Sequence, residues 1–406
     1  MTTTPSAVRL GLLAEVVSGS GFPDKYQGRT GLELPFYKVS SLSSIVDGAV
    51  TGVGHSVTRE TARELGARII PPGGVMMAKI GAALMLGRYA QTSRPACIDN
   101  NMQALIPRDG INSRYLLYAM TQVPLPALVK DGPVPTVDVM GLKMSRIPHH
   151  DVATQQRIAD YLDRETGEID VMIAKMDMLS GQLEERRSAS WSLGIKQAYE
   201  LGRSAKLSML VESIADGPFG SSLTSSHYSD VGTRVIRLGN IGINSFRGDD
   251  KAFIPTAYAE TLATHAVEQG DVVVAGLGDE RWPLGRAAVV PDIGPAIVKA
   301  DCYRVRPNSL VSAEYLAWAL SSPHVRAQAQ VLSRGATRAR LNTKVVQEVE
   351  IPLISPQHQA ELLRRQSQAT SRIDTMLAKV AELKSLLTER RAALITDVVT
   401  GRKEVA

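Results

Sequence analysis

The chain has 406 residues, which exceeds the length of one ordinary domain, so two or three domains are expected. Apolar residues make up 44% and charged residues 21%, which is ample for buried cores and normal for a soluble protein. The net charge of +5 is compatible with a polyanionic partner, and the two isolated cysteines, Cys97 and Cys302, argue against a disulfide framework and fit a reducing cytoplasm. No apolar stretch approaches the ~20 residues of a membrane span, and residues 1–17 do not resemble a signal peptide, so no membrane partner is expected.

Short apolar runs bounded by glycine and proline predict strands before each of two long helical segments. A short helix is predicted later in each half. The related pairs are residues 35–40 with 233–238, 72–79 with 269–275, and 114–119 with 314–319. Each half of the chain is therefore expected to form a domain of mixed strands and helices.

The longest motif is a repeat that starts at Ile147 and recurs without a gap at Ile351, 204 positions later. The first 45 aligned positions contain 15 identities. Both copies open on Ile-Pro and later carry Ile-Asp, Ala-Lys and Glu-Arg-Arg. A repeat of this length, preceded each time by a domain, predicts a molecule with two-fold pseudo-symmetry.

Both copies have the a/d heptad pattern of a coiled coil, with spacings that alternate between four and three. The predicted seams are 158, 162, 165, 169, 172, 176, 179, 183 and 362, 366, 369, 373, 376, 380, 383, 387. The residues expected to pair the helices or bind a partner are Ile158, Leu162, Ile169, Met176, Leu183, Leu362, Ile373, Val380 and Leu387. Two such helices in one chain most simply pair with each other, in an antiparallel sense. The alternative is a pair of ordinary amphipathic helices from two unrelated domains.

The ends of the two helices also have recognisable signals. Asp151 and Ser355 occupy equivalent positions and are good N-cap residues, and Pro356 suits the first helical position. Gly194 and Gly401 are the predicted stops. Residues 194–206 are expected to be a linker between the first helix and the second domain.

The chain has no recognisable catalytic set. It contains no Gly-Lys dipeptide, no G-x-G-x-x-G motif and no D/N-P-P-Y/F motif. His149, His150 and Asp151 resemble a metal motif, but adjacent histidines rarely converge on one ion, and a solvated loop is favoured. A binding or scaffolding protein is therefore predicted.

Several loops have residues that suit a nucleic acid. The small residues of the Gly-Pro-Phe-Gly-Ser-Ser segment at 217–222 would let backbone amides approach a phosphate, although a tight turn explains them equally well. Arginines on loops suit phosphates or guanine edges, with solvated basic turns as the alternative. The predicted contact residues are Lys38, Lys79, Arg88, Lys143, Ser221, Ser222, Arg237, Arg281, Arg286, Arg334, Arg338 and Arg340.

Together these motifs resemble the DNA-specificity subunit of type I restriction-modification enzymes. The resemblance rests on residues 216–223, 235–241 and 389–396 and on the two Ile-Pro helix starts, and it covers nearly the whole chain. The first half departs from the pattern, because it has a looser segment at 19–23 in place of the Gly-Pro-Phe-Gly-Ser loop.

The resemblance implies an α+β protein with two target-recognition domains joined by two long antiparallel coiled-coil helices. The expected division is 1–146, 147–200, 201–350 and 351–406. Each recognition domain would read one half of a bipartite site in double-stranded DNA, and the helices would set the spacer between the halves.

The same resemblance implies a cytoplasmic, non-catalytic subunit that serves DNA methylation and phage defence. It would recruit two adenine methyltransferase subunits, which use S-adenosylmethionine, with or without a motor-nuclease subunit, while this chain itself holds no cofactor or metal. Two alternatives are a related enzyme whose methylase and nuclease share one chain, and a coiled-coil scaffold that does not bind DNA.

Overall fold

The computed structural model describes residues 5–130, 132–279, 282–333 and 340–405. The chain divides into two compact units, residues 1–177 with 381–406 and residues 178–380. Both units mix strands and helices, so the α+β class predicted from the sequence is confirmed. Among the described residues, no helix combines the length and the apolar character that a membrane crossing requires.

The first unit is built on a sheet in which four strands are antiparallel neighbours, in the order β2-β10-β7-β8. Its strands are β1 (Ser6–Arg9), β2 (Ala14–Ser18), β3 (Leu34–Tyr37), β4 (Ile45–Val46), β5 (Ala49–Val50), β6 (Ser56–Val57), β7 (Val75–Ala78), β8 (Tyr89–Gln91), β9 (Cys97–Ile98), β10 (Met102–Pro107), β11 (Val129–Lys130), β12 (Thr136–Val137) and β13 (Arg146–His149). The hairpin β4–β5 extends this sheet, and β3 pairs in parallel with β9.

The helices of this half are α1 (Leu10–Leu13), α2 (Arg59–Glu64), α3 (Ala82–Met85), α4 (Ser113–Ala119), α5 (Val139–Met144) and the long α6 (Val152–Leu201). The core of the first unit joins the sheet and α4 to both long helical segments, since Tyr115, Leu162 and Ile395 belong to one buried cluster. The helix predicted at 114–119 is confirmed as α4. The strand predicted at 35–40 is confirmed only for residues 35–37, because a 3₁₀ helix follows at Val39–Ser43.

The second half repeats this topology. Its strands are β14 (Arg203–Lys206), β15 (Val211–Ala215), β16 (Thr233–Ile236), β17 (Phe253–Ile254), β18 (Ala266–Val267), β19 (Val272–Ala275), β20 (Ala287–Val289), β21 (Ala296–Val298), β22 (Cys302–Pro307) and β23 (Glu350–Leu353). The sheet order β15-β22-β19-β20 matches β2-β10-β7-β8, and the parallel pair β16–β21 matches β3–β9.

The helices of the second half are α7 (Thr256–Glu260), α8 (Ala313–Ser321), α9 (Pro323–Leu332), α10 (Thr343–Glu348) and the long α11 (Pro356–Val399). Its core joins the sheet and α8 to the long helices, because Tyr315, Ile195 and Leu362 share one buried cluster. The short helix predicted at 314–319 is α8, the counterpart of α4.

The long helices start where the caps predict. Asp151 accepts from the amide of Thr154 at 3.0 Å and from its hydroxyl at 2.7 Å, and these hydrogen bonds hold the pKa of the Asp151 carboxyl below its usual value. The hydroxyl of Ser355 accepts from the amide of His358 at 3.3 Å. Gly401 follows α11 with a φ of +75°, the left-handed conformation that glycine adopts readily.

The predicted stop at Gly194 is wrong. Helix α6 continues to Leu201, so residues 194–206 hold the last turns of a helix and strand β14 instead of a linker. A Cβ at position 194 would lie 2.2 Å from Nε2 of Gln366, so this glycine makes room for a neighbouring side chain. Glycine inside a helix is tolerated where close packing needs it.

The predicted seam is half right. In both long helices the residues of one heptad row are buried, or partly buried in the case of Met176, namely Leu162, Ile169, Met176, Leu183, Ile373, Val380 and Leu387. The second row starts as predicted, with Ile158 and Leu362 buried, but from the next heptad on it lies one residue further along. Met172, Leu179, Met376 and Leu383 are exposed, whereas Thr166, Ile173, Ser180, Thr370, Leu377 and Lys384 are buried or partly buried.

Two residues of the inward row have polar partners. Thr166 is near Tyr118 of α4, with 3.2 Å between the two hydroxyl oxygens. Lys384 donates to Asp177 at 2.5 Å, across the helical segments of the first unit. Because four residues of this inward row are polar, the apolar spacing of the sequence does not predict it.

Candidate nucleic-acid interface

One edge of the second unit's sheet collects the predicted contact loops. Ala215 lies opposite Arg304, Ala275 opposite Cys302, and Val274 opposite Ala287. The carboxyl ends of β15 and β19 and the amino ends of β20 and β22 therefore share one edge. The segments at 216–223, 276–279 and 299–301 meet this edge, and residues 238–250 follow β16 of the separate sheet β17-β16-β21-β18.

The Gly-Pro-Phe-Gly-Ser-Ser segment forms a 3₁₀ turn at Gly220–Ser222, with Ser221 and Ser222 exposed. A Cβ on Gly217 would lie 1.9 Å from the carbonyl carbon of Lys299, so the segment packs directly on the neighbouring loop. Gly220 has a φ of +61°. The structure thus explains both glycines by packing and turn geometry, while the two serine hydroxyls remain candidate phosphate donors.

Arg340 lies beside this turn. Its Nε donates to Asp301 at 2.5 Å, and its guanidinium carbon is 5.2 Å from the ring centroid of Phe219, which is 44% exposed. A cleft of about 370 Å³ is lined by these two side chains together with Asp216 and Tyr303. Arg340 is therefore an accessible cation on the loop edge, as the prediction requires.

The prediction that Arg286 contacts DNA is wrong, because this side chain is only 4% exposed. Its guanidinium donates to five backbone carbonyls, those of Leu238, Ile241, Leu277, Trp282 and Pro283, at 2.6–3.2 Å. Burial lowers the pKa of Arg286. A buried cation with this many acceptors ties loops together and has no free edge for DNA.

The other predicted arginines of the second half differ in their surroundings. Arg237 forms an ion pair with Asp250, and its amide donates to Asn240 at 2.8 Å. Arg281, Arg334 and Arg338 lie outside the described residues.

The first unit has an equivalent loop edge. Ser18 lies opposite Gln103, Ala78 opposite Met102, and Met77 opposite Tyr89, so β2, β10, β7 and β8 end in the same arrangement. Two predicted residues flank this edge, since Lys79 follows β7 and Arg88 precedes β8, whereas Lys38 follows β3 of the separate sheet β6-β3-β9.

These three cations are held by polar neighbours. The Nζ of Lys38 donates to Gln27 at 2.8 Å, and the Nζ of Lys79 donates to the carbonyl of Asn100 at 3.3 Å. Arg88 donates to the carbonyl of Leu42 at 3.5 Å. Burial raises the pKa of Asp99, while the positive charge of Lys38 opposes that rise.

Lys143 does not join this group. It lies on α5, where its Cβ would be 3.2 Å from a Cβ built on Gly11 of α1. Helix α5 leads directly into β13, the strand that precedes the long helix. The structure therefore places Lys143 near the attachment of the domain to its helix, away from the loop edge.

Each domain is attached to its own helix by the same buried glutamine. Gln155 accepts from the amide of Asn112 at 2.7 Å and donates to the carbonyls of Gly110 and His150. Gln359, at the repeat-equivalent position, accepts from the amide of Ser312 at 2.9 Å and donates to the carbonyls of Leu310 and Ile354. These hydrogen bonds fix each domain relative to the start of its helix.

The structure also reveals a residue that sequence reasoning missed. The guanidinium carbon of Arg247 lies 4.7 Å from the ring centroid of Trp282. The two residues are 35 positions apart, so no local motif signals the pair. In the part of the chain that the structure describes, no cluster of three or more metal-ligating side chains is found.

Comparison with known proteins gives a consistent set of relatives, although no family model matches the chain. The specificity subunit of the type I restriction enzyme MjaIX from Methanocaldococcus jannaschii is 24% identical over 154 residues, 37% of this chain and 35% of that protein. The StySPI specificity subunit from Salmonella potsdam is 22% identical over 167 residues, 41% of this chain and 36% of that protein. The matched segments thus span about a third of the length of these relatives.

The fold gives a longer match. A chain from a solved structure on complex assembly and conformational transition of the type I restriction-modification system aligns with a TM-score of 0.63 at 14% identity. The alignment covers 98% of this chain and 97% of that chain. The resemblance predicted from the motifs is confirmed in sequence and, over nearly the whole length, in fold.

Proposed function

We propose that this chain, which resembles type I specificity subunits in sequence and in fold, selects the DNA sequence for a type I restriction-modification complex. The carrying observation is that both units present lysine and arginine side chains from the equivalent edge of an equivalent sheet. Such cations supply salt-dependent affinity through phosphates, and base-edge contacts supply discrimination. Because the loops of the two edges differ in sequence, the two half-sites would differ as well.

The proposed organisation has four parts, residues 1–146, 147–200, 201–350 and 351–406. Two target-recognition domains would be joined by two antiparallel coiled-coil helices with a pseudo-two-fold axis. Its support comes from contacts inside each unit: Asp170 pairs with Arg391 and Asp177 with Lys384 in the first, and Arg187 pairs with Asp374 in the second. In the first unit the partner number falls from 391 to 384 as the first number rises from 170 to 177, as antiparallel pairing requires.

The helices would also recruit two adenine methyltransferase subunits, with or without a motor-nuclease subunit. The exposed heptad positions support this, because large apolar side chains are exposed on both long helices. They are Met172, Met178 and Leu179 on α6, and Met376, Leu383 and Leu386 on α11. Exposed apolar stripes of this kind are typical of protein interaction surfaces.

The chemistry would lie on the partners, so this chain would be a non-catalytic subunit. S-adenosylmethionine would bind to the methyltransferase subunits. A chromosomal target also requires a cytoplasmic location. In the alternative, methylase and nuclease are fused in one partner chain, and this chain would have the same recognition role. The genes that neighbour this one would distinguish the two cases.

Methylome sequencing of the host, with and without the gene, tests the proposal. We expect a split adenine-methylated motif that disappears on deletion and returns when the intact gene is restored. A host that keeps the same methylated motifs after deletion would contradict the proposal. The alternative, a coiled-coil scaffold that does not recognise DNA, predicts that binding of the chain to DNA depends on neither salt nor DNA sequence. It also predicts that no methyltransferase co-purifies with the chain.

Exchange of a domain tests modularity. Residues 1–146 would be replaced by the matching segment of another specificity subunit, while residues 201–350 are kept. Exactly one half of the methylated motif is expected to change. The reciprocal exchange of residues 201–350 is the matched control and should change only the other half.

A further inference from the structure

Arg247 of the second unit is held over an aromatic ring at the loop edge. It is exposed, and its guanidinium carbon lies 4.7 Å from the centroid of the Trp282 ring. Within the described residues, no carboxylate forms an ion pair with Arg247. A guanidinium over an indole keeps its charge and most of its donors while losing freedom of movement.

The backbone beneath Arg247 is also fixed. The amide of Arg247 donates to the carbonyl of Asn240 at 2.8 Å, and Nδ2 of Asn240 donates back to the carbonyl of Arg247 at 2.9 Å. Asn240 is completely buried. The arginine therefore projects from a closed, hydrogen-bonded turn and not from a free loop.

Arg286 connects this turn to the segment that holds the ring. It donates to Leu238 at 3.0 Å and Ile241 at 2.6 Å on one side, and to the carbonyl of Trp282 at 3.2 Å on the other. Arg286 is thus a positioning residue. Its hydrogen bonds hold the two segments together, so the relative position of Arg247 and Trp282 is maintained.

The cleft beside the pair is small. It measures about 200 Å³ and is lined by both side chains together with Gly239, Gly278 and Asp279. Small-molecule and cofactor pockets usually measure about 300–1,000 Å³. The cleft is therefore too small to enclose a whole ligand of that kind.

Of the described arginines that were predicted on this edge, Arg286 is buried and the other two have acidic partners. Arg237 is paired with Asp250 and Arg340 with Asp301, so each shares its donors with a carboxylate. We infer that Arg247, positioned by Trp282, is a specificity-determining residue that reads a guanine in the half-site of the second recognition domain. Its two terminal donors would bind O6 and N7 of guanine in the major groove, the most common specific contact of arginine. This inference rests on the proposed function.

The test uses the full chain in complex with its methyltransferase partner and a set of duplexes. Each duplex replaces one base pair of the bipartite site. Arg247→Lys keeps the positive charge and removes the planar fork. We expect it to weaken binding to the intact site about 5- to 150-fold, the range for one bidentate contact. We also expect it to reduce the penalty for replacing one particular G·C pair, because lysine lacks the planar pair of donors.

Two further variants sharpen the result. Trp282→Leu removes the ring, and its loss of discrimination should fall on the same base pair as that of Arg247→Lys. Arg203→Lys changes an exposed arginine on β14 and should leave every duplex preference unchanged. Discrimination at the other half-site, read by the first domain, reports that each variant complex is folded and active in binding.

Three outcomes would overturn the inference. One is unchanged binding by Arg247→Lys on every duplex. Another is equal weakening on all duplexes with a changed salt dependence, which would identify a phosphate contact. The third is a second half-site that contains no G·C pair whose replacement matters. If the wild-type complex shows no split-site preference at all, the proposed function fails instead.

Discussion

Arg391 donates to both carboxylate oxygens of Asp170, at 2.8 and 3.1 Å, between the long helical segments of the first unit. In the second unit, Arg187 lies 3.2 Å from Asp374. A shift of 204 positions converts Asp170 into Asp374 and Arg187 into Arg391. The sequence repeat therefore reproduces the same ion pair in each unit.

We expect Arg391→Met to lower the free energy of unfolding by less than about 1 kcal/mol. The side chains of Arg391 and Asp170 are 35% and 42% exposed, and ion pairs with this much exposure contribute ~0.2–1 kcal/mol. Denaturant unfolding at low and high salt measures the effect, which should shrink with salt. The double variant with Asp170→Asn isolates the pair. A loss above about 3 kcal/mol would show that the pair is effectively buried.

Two leucines on one helix test which row faces inward. Leu387 is 8% exposed and Leu383 is 45% exposed, although the heptad pattern predicts both in the seam. Leu387→Ala should lower the free energy of unfolding by about 2–4 kcal/mol. Leu383→Ala is the matched control and should cost less than about 1 kcal/mol. Equal losses in chemical denaturation would favour the predicted row over the observed one. In the complex, Leu383→Ala should weaken methyltransferase binding.

Gln359 tests the attachment of the second domain to its helix. Gln359→Leu should lower the free energy of unfolding by about 2–4 kcal/mol, because it leaves one buried amide and two buried carbonyls without partners. Gln357→Leu changes an exposed glutamine in the same turn and should have little effect. Gln155→Leu should match Gln359→Leu in size, since its contacts are equivalent. A clear difference between these two losses would contradict equivalent attachment.

Variants of Arg286 and Arg340 should have different effects, the first on stability and the second on DNA binding. Arg286→Leu leaves five carbonyls without their donor and should destabilise the second unit by about 3 kcal/mol or more. Hydrogen exchange should locate this loss in residues 178–380. Arg340→Ala should leave stability within about 1 kcal/mol, weaken DNA binding on all sequences and lower the salt slope by about one. DNA binding unchanged by Arg340→Ala at moderate salt would remove this arginine from the interface.

An insertion of one heptad in each long helix tests the proposed spacing role. Seven helical residues add about 10.5 Å, which corresponds to about three base pairs at ~3.4 Å each. The methylated motif should keep both half-sites and gain about three base pairs of spacer, or recognition should be lost. The same insertion in only one helix should break the pairing and serves as the control. An unchanged spacer after both insertions would contradict the proposal that the helices set the spacer length.

Much of the fold could be read from local patterns. The capped starts at Asp151 and Ser355, the stop at Gly401 and the short helices α4 and α8 are confirmed, because each depends on neighbouring residues. The DNA contacts at Lys38, Lys79, Arg88 and the loop serines stay predictions. Arg286 shows why such residues are difficult to assign. An arginine beside Trp-Pro looks exposed in sequence, yet its carbonyl acceptors come from segments up to 48 positions away.

By itself, the sequence determined that the chain is a duplicated α+β protein with two long heptad helices, since repeat, periodicity and caps are properties of nearby residues. Only the tertiary structure decided which heptad row is buried, because Met172 and Ile173 are both apolar and adjacent, and burial of one or the other depends on segments distant in sequence. It also decided that Gly194 lies inside a helix and that Arg247 meets Trp282. Those outcomes depend on distant segments that come together only when the burial of the core brings them into contact.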